Sequence, residues 1–299
     1  MTISTTQWTT RLRTWALVAG LTGLMIAVGA LIGGAFLWLF VAIAVALNLV
    51  GYFYSDRIAL RAARARPLRR GDAPEIHDAV AELASRAQIE MPRLYVMPGE
   101  PPNAFATGRN QRHAAVAMTE GLLTDFSLDQ VRGVLAHELA HIANRDILVS
   151  SIAAMIAGAI SAISNILALS FLFGSDDEDS PLGMLGSLAA LVLAPIAATL
   201  LQLGVSRQRE YLADATAAQL LGGGAPLADA LEEIERTQAP PLAIDPVTAP
   251  MYIVNPLAGR QLTTLFSTHP PLRERIRRLR AYRAPQAQVY RTEVASPTG

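Results

Sequence analysis

Apolar stretches dominate this chain and limit what it can fold into. Residues 14–53 contain no charged side chain and are broken only near Gly33-Gly34, leaving two runs of about 20 residues. Each is long enough to cross a bilayer as a helix. A third run covers about 147–173 and a fourth about 182–205, with the acidic loop Ser175-Asp176-Asp177-Glu178-Asp179-Ser180 between them. Two buried helices of a soluble domain are the competing reading of the last pair, but core helices keep a polar stripe and these do not. Pro195 in the fourth run is tolerated in lipid, where neighbouring helices satisfy the freed carbonyl. Only 17% of residues are charged, 52% are hydrophobic and the mean hydropathy is +0.31. A soluble domain carries roughly 25% charge, so four transmembrane helices are expected.

Arg11 and Arg13 ahead of the first run raise the question of a cleaved signal peptide. The run is too long for one and a second span follows directly, so an uncleaved hairpin is expected. All 25 basic residues are arginine, and they cluster at one side of the spans. Arg11 and Arg13 precede span one, Arg57, Arg61, Arg64, Arg66, Arg69 and Arg70 follow span two, and Arg145, Arg207 and Arg209 bracket spans three and four. The inter-span loops hold none. The positive-inside rule then puts both termini and the segment between spans two and three in the cytoplasm. The expected divisions are a hairpin at 14–55, a cytoplasmic part at 56–146, a second hairpin at 147–205 and a second cytoplasmic part at 206–299.

The cytoplasmic part reads as mixed structure. Residues 73–87 have helical periodicity with Pro74 in the first turn. Residues 93–97, 103–107 and 113–118 read as short strands, and 129–144 as a helix with Ser127 or Asp129 near its cap. That last helix contains His137-Glu138-Leu139-Ala140-His141. On a helix, i and i+4 share a face, so both imidazoles reach one zinc ion while Glu138 lies beside its open side. Glu138 is then placed to take a proton from metal-activated water and pass it to a leaving amine. The chain has no cysteine, so a zinc ion must be held by histidine and carboxylate.

A third ligand is expected where the chain re-enters the cytoplasm. Glu210 and Asp214 stand at i and i+4 there, Glu210 as the ligand and Asp214 as acceptor of a ligand imidazole N–H. From spacing alone, pairing of both carboxylates with Arg207 and Arg209 on a solvated face is as good a reading. Position favours the metal.

Four segments in this order resemble the HtpX-type membrane zinc metalloproteases, kin to the CAAX prenyl endoproteases among the gluzincins. They are Asn103-Ala104-Phe105-Ala106-Thr107-Gly108, the HExxH segment with Asn144 and Asp146, 206–214, and Thr268-His269-Pro270-Pro271 with Arg275. The resemblance covers nearly the whole chain. It implies a mainly α fold with a small β-sheet, a cytoplasmic zincin-like domain on four spans, and one Zn2+ held by His137, His141 and Glu210. It further implies Glu138 as base, Asp214 as support, and His269 and Arg275 near the metal as stabilisers of the oxyanion, with His269 alternatively a resting-state ligand. Asn103, Ala104, Phe105 and Ala106 resemble the family's edge strand, on which a substrate adds through main-chain hydrogen bonds.

The expected activity is endoproteolysis of unfolded or misfolded membrane proteins at the bacterial inner membrane. A non-catalytic membrane scaffold or holdase is the alternative, against which an intact Glu138 argues. A transporter is disfavoured because the spans hold no Asp, Glu, His or Arg. Nucleic acid is not an expected partner at a net charge of zero. His77 and His113 are expected to be structural, residues 273–280 form a basic helix suited to anionic lipid, and an oligomer is allowed.

Overall fold

The structure, a computed structural model, describes residues 34–148, 207–237 and 270–283 together with positions 19 and 23. The third and fourth apolar runs, the acidic loop, His269 and the tail beyond 283 lie outside the described residues, as does the first run apart from those two positions.

Helix α1, Gly34–Ala62, is 29 residues long, about 43 Å at 1.5 Å per residue. It carries no charge before Asp56, and Trp38, Val45, Leu49, Val50, Tyr52, Phe53 and Tyr54 lie exposed on it. Counting only described residues, no helix is long and apolar enough to cross a membrane. The arginines that follow position 55 divide at the end of this helix, with Arg57 and Arg61 on α1 and Arg64, Arg66, Arg69 and Arg70 beyond it. Arg57 and Arg61 face outward and leave Ala59 and Leu60 to pack on a sheet.

That sheet has four strands, β1 (Arg66–Pro67), β2 (Arg93–Met97), β3 (Ala104–Gly108) and β4 (Ala114–Thr119), in the spatial order β1-β2-β4-β3. β2 and β4 are parallel, with Arg93 opposite Ala115, and the outer pairs are antiparallel, with Ala104 opposite Met118. Side chains alternate between two cores with the period of two that a strand imposes. Leu94, Val96, Ala104, Ala106, Ala114, Val116 and Met118 join the main core, while Met97, Phe105, Ala115 and Ala117 meet Ala59 and Leu60 of α1. Burial on both faces explains why β4 reads as an unbroken apolar run rather than an alternating one.

The main core lies under helices α2 (Pro74–Arg86), α3 (Glu120–Asp125), α4 (Leu128–Ala143), α5 (Arg207–Leu221), α6 (Ala225–Arg236) and α7 (Leu272–Arg280). Helix α4 is the hub, touching α2, α5, α6 and β3. It starts at a capping box, in which Ser127 Oγ accepts from the Gln130 N–H and Gln130 Oε1 accepts from the Ser127 N–H. Such a cap is worth about 1 kcal/mol. The described residues are thus mainly helical with a small mixed sheet.

The basic helix α7 docks on the protein rather than standing free. Arg273 pairs with Glu235, Arg280 with Asp229 and Glu232, and Arg277 and Arg278 with Glu274, while the Arg278 guanidinium sits 3.8 Å over the Tyr211 ring. His77 Nε2 meets the Leu68 carbonyl at 3.0 Å, and His113 Nδ1 meets Asn110 Oδ1 at 2.8 Å.

Gly133 sets the closest approach of α4 to α6. A Cβ there would stand 2.6 Å from the Leu227 nitrogen and from the Pro226 carbonyl carbon, both backbone atoms that no rotamer change can move. Gly133→Ala should therefore destabilise the domain by about 1–3 kcal/mol, read as a lowered thermal unfolding midpoint. An unchanged midpoint would show that the two helices can separate at no cost.

Candidate metal centre and active site

Helix α4 places His137, Glu138 and His141 on its inner side, and α5 brings Glu210 and Asp214 against them, one turn apart. The Nε2 atoms of His137 and His141 are 3.2 Å apart. Glu210 Oε2 lies 3.6 Å from His137 Nε2, and Glu210 Oε1 lies 3.5 Å from His141 Nε2. Two donors on a tetrahedral zinc, each about 2.0–2.1 Å from the ion, are separated by about 3.3 Å. Three donors at 3.2–3.6 Å therefore fit one zinc ion without rearranging the backbone. Among the described residues they form a group able to hold a metal ion.

The Nδ1 sides of both rings face carboxylates. His137 Nδ1 is 3.0 Å from Asp214 Oδ1, and His141 Nδ1 is 3.4 Å from Asp146 Oδ2. An Nδ1–H given to a carboxylate leaves Nε2 with the lone pair a metal needs. The side chain of His141 keeps 16% of its surface exposed against 1% for His137 and 7% for Glu210, so the group opens to solvent on the His141 side.

Arg275 has no exposed surface. Its Nε and Nη2 donate to Asp214 at 2.9 and 2.7 Å, and Nη2 also lies 3.4 Å from the His137 ring nitrogens. Arg275 thus lies buried against the group, with Nη1 4.0 Å from Glu210 Oε2 and two hydrogen bonds made to the Asp214 carboxylate. The other expected oxyanion residue, His269, lies outside the described residues.

Burial raises the Glu138 carboxyl above the usual range, against the pull of the two imidazoles and of the Ala106 N–H, which donates to it from β3. A raised carboxyl is what a general base working near neutral pH requires. Burial and Arg275 oppose protonation of His137, but Asp214 and Glu210 outweigh them and hold it up to about 9 in the metal-free protein. Burial works against ionisation of Asp214 too, and the Arg275 guanidinium overcomes it, leaving the carboxyl at about 2.

Among the described strands, β3 is the outermost one beside α4. Of its expected substrate-binding residues, Ala104 and Ala106 face the main core and Phe105 faces α1. Asn103 anchors the start of the strand: its N–H donates to Thr119 Oγ1 at 2.8 Å, and its Oδ1 accepts from the Ala104 N–H at 2.9 Å. Sequence reasoning did not assign the contact of Asp146 with His141. The signal was an acidic residue just beyond the helix that carries the motif.

The model of peptidase family M48 matches residues 71–283 of this chain. A protease HtpX homologue of Syntrophobacter fumaroxidans is 50% identical over 278 residues, covering 91% of this chain and 99% of that one. One of Persephonella marina is 50% identical over 280 residues, 90% of this chain and 96% of that one, and one of Pyrococcus furiosus is 48% identical over 272 residues, 90% and 94%. The crystal structure of Ste24p from S. mikatae is similar in fold, with a TM-score of 0.50 at 19% identity, covering 91% of this chain and 66% of that longer chain.

A metal entering this group must displace the proton on His137. With that group at about 9, the apparent zinc affinity should climb about tenfold per pH unit from neutrality to about pH 9 and level off above it. Competition against a chelator of known pH dependence measures this. A flat profile from pH 6.5 to 9 would mean that His137 is neutral before the metal arrives.

Proposed function

The chain belongs to peptidase family M48 and is a zinc metalloprotease, and we propose that His137, His141 and Glu210 hold its zinc while Glu138 is the general base. The observation that carries the reading is the convergence of two Nε2 atoms and one carboxylate at 3.2–3.6 Å, with each Nδ1 turned to a carboxylate. Zinc in such a site supplies Lewis acidity, making water acidic near pH 7 and polarising a carbonyl.

The remaining steps belong to side chains. Glu138, kept basic by burial and aimed by the Ala106 N–H, takes a proton from the attacking water as its oxygen bonds to the scissile carbonyl carbon. It then delivers that proton to the amide nitrogen as the C–N bond breaks. Asp214 fixes the tautomer of His137, and Arg275 acts through Asp214 as a positioning residue. His269 stabilises the oxyanion or occupies the metal's open position at rest.

The substrate is an extended polypeptide laid along β3, at the Ala104 and Ala106 stretch beside Glu138. Main-chain pairing selects for extendedness over sequence, which suits unfolded or misfolded membrane proteins. The chain is anchored by four spans, 14–53 in two and 147–205 in two, as a multi-pass protein of the bacterial inner membrane with its termini and the protease domain in the cytoplasm. Support for the second span comes from the sequence, in which residues 34–53 hold no charge and Arg57 and Arg61 follow.

Glu138→Gln should retain zinc and lose turnover by about 10²–10⁴-fold, whereas Glu210→Ala should lose both zinc and turnover. Cleavage of an unfolded substrate by detergent-purified protein, with zinc content determined on the same samples, reads both, and an active Glu210→Ala would remove it from the ligand set. Protease added outside intact cells should cut only near residues 176–179. Cutting in the C-terminal tail would overturn the topology.

A further inference from the structure

The second histidine of the metal group has a carboxylate behind it that the five-residue motif does not contain. Asp146 is 2% exposed and its Oδ2 lies 3.4 Å from His141 Nδ1. It stands five residues beyond His141. On a continuing helix that spacing would carry it about 140° around the axis, away from the imidazole.

A reversal of the chain brings it back. The Arg145 N–H donates to the Ile142 carbonyl at 3.1 Å and the Asp146 N–H to the His141 carbonyl at 2.9 Å, with Arg145 in the left-handed region at φ 62°. This is a Schellman motif, in which the second residue past the cap is folded against the third residue before it, usually in an apolar contact. Here those two residues are Asp146 and His141. The reversal is made by an arginine, whose Cβ is crowded in this conformation where a glycine would be relaxed.

We propose that Asp146 is a positioning residue for His141: its carboxylate accepts the Nδ1–H and so fixes the tautomer that presents Nε2 to zinc. The proposal rests on His141 being a zinc ligand. It makes support of the two histidines independent. His137 is held through α5 and α7 by Asp214 and Arg275, whereas His141 is held by the turn that closes its own helix. Loss of Asp146 should weaken the metal site without loosening the packing of α5 and α7.

The test uses the full chain purified in detergent, with zinc affinity from chelator competition and thermal unfolding of the metal-free forms. Asp146→Asn should bind zinc about 10–100-fold more weakly with its metal-free midpoint within a few degrees of wild type, Asp146→Glu should fall between them, and Arg145→Gly should match wild type. Ring nitrogen NMR of the zinc-loaded wild type should show His141 protonated at Nδ1. Affinity of Asp146→Asn within about threefold of wild type would overturn the proposal, as would zinc bound through Nδ1. If Asp146→Asn does not fold, the wild-type nitrogen spectrum decides alone. His141→Ala run alongside separates this proposal from the reading beneath it: zinc bound as in wild type there removes the ligand assignment and the proposal with it, and zinc lost there with Asp146→Asn unaffected overturns the proposal alone.

Discussion

The structure depends on one buried chain of charge, in which Arg275 holds Asp214 and Asp214 holds His137. These residues come from α7, α5 and α4, so their electrostatic fit joins, at the site, three helices that also share the apolar core. Removing one partner from a buried pair costs about 3–5 kcal/mol, because the charge left behind is without either water or a counterion. The same contacts hold Asp214 ionised at about 2 and His137 up to about 9. Structure and metal chemistry are therefore set by one group of atoms, and neither can be retuned without the other.

Around that chain, the sheet does a different task. Its two faces are filled, one by the helices and one by α1, and β3 packs beside α4. That packing lets the backbone N–H of Ala106 bear on Glu138. Close backbone contacts elsewhere serve the same end, with Gly133 letting α6 against α4 and Gly224 letting α7 against the start of α6, where a Cβ would come 2.2 Å from the Leu279 carbonyl oxygen.

What the sequence disclosed was whatever local periodicity controls. The i and i+4 pairs His137–His141 and Glu210–Asp214 were legible because a helix fixes which residues share a face. The strands were legible as short apolar runs. The two-residue β1 was too short to leave a pattern, and the passage of α1 through 56–62 was masked by arginines that lie on its outer side. Asp146 was visible as an acidic residue just past the motif helix, but its contact with His141 was not, since that depends on a left-handed Arg145 that no periodicity announces. Arg275 sat in a run of charge that read as a basic helix suited to anionic lipid, and only the family resemblance put it near the metal. Its spacing from Leu272, Ile276 and Leu279 placed it on the inward face of α7, and that was the available signal.

The span of that buried chain along the sequence has a consequence in time. His137 and Arg275 are 138 residues apart. A ribosome adding about 5–20 residues per second needs roughly 7 to 28 s to go from one to the other. During that interval the histidines and Glu138 exist without the guanidinium that secures Asp214, and the newborn enzyme is incomplete. The support of His137 is thus complete only after α7, the last helix among the described residues, has been synthesised and docked.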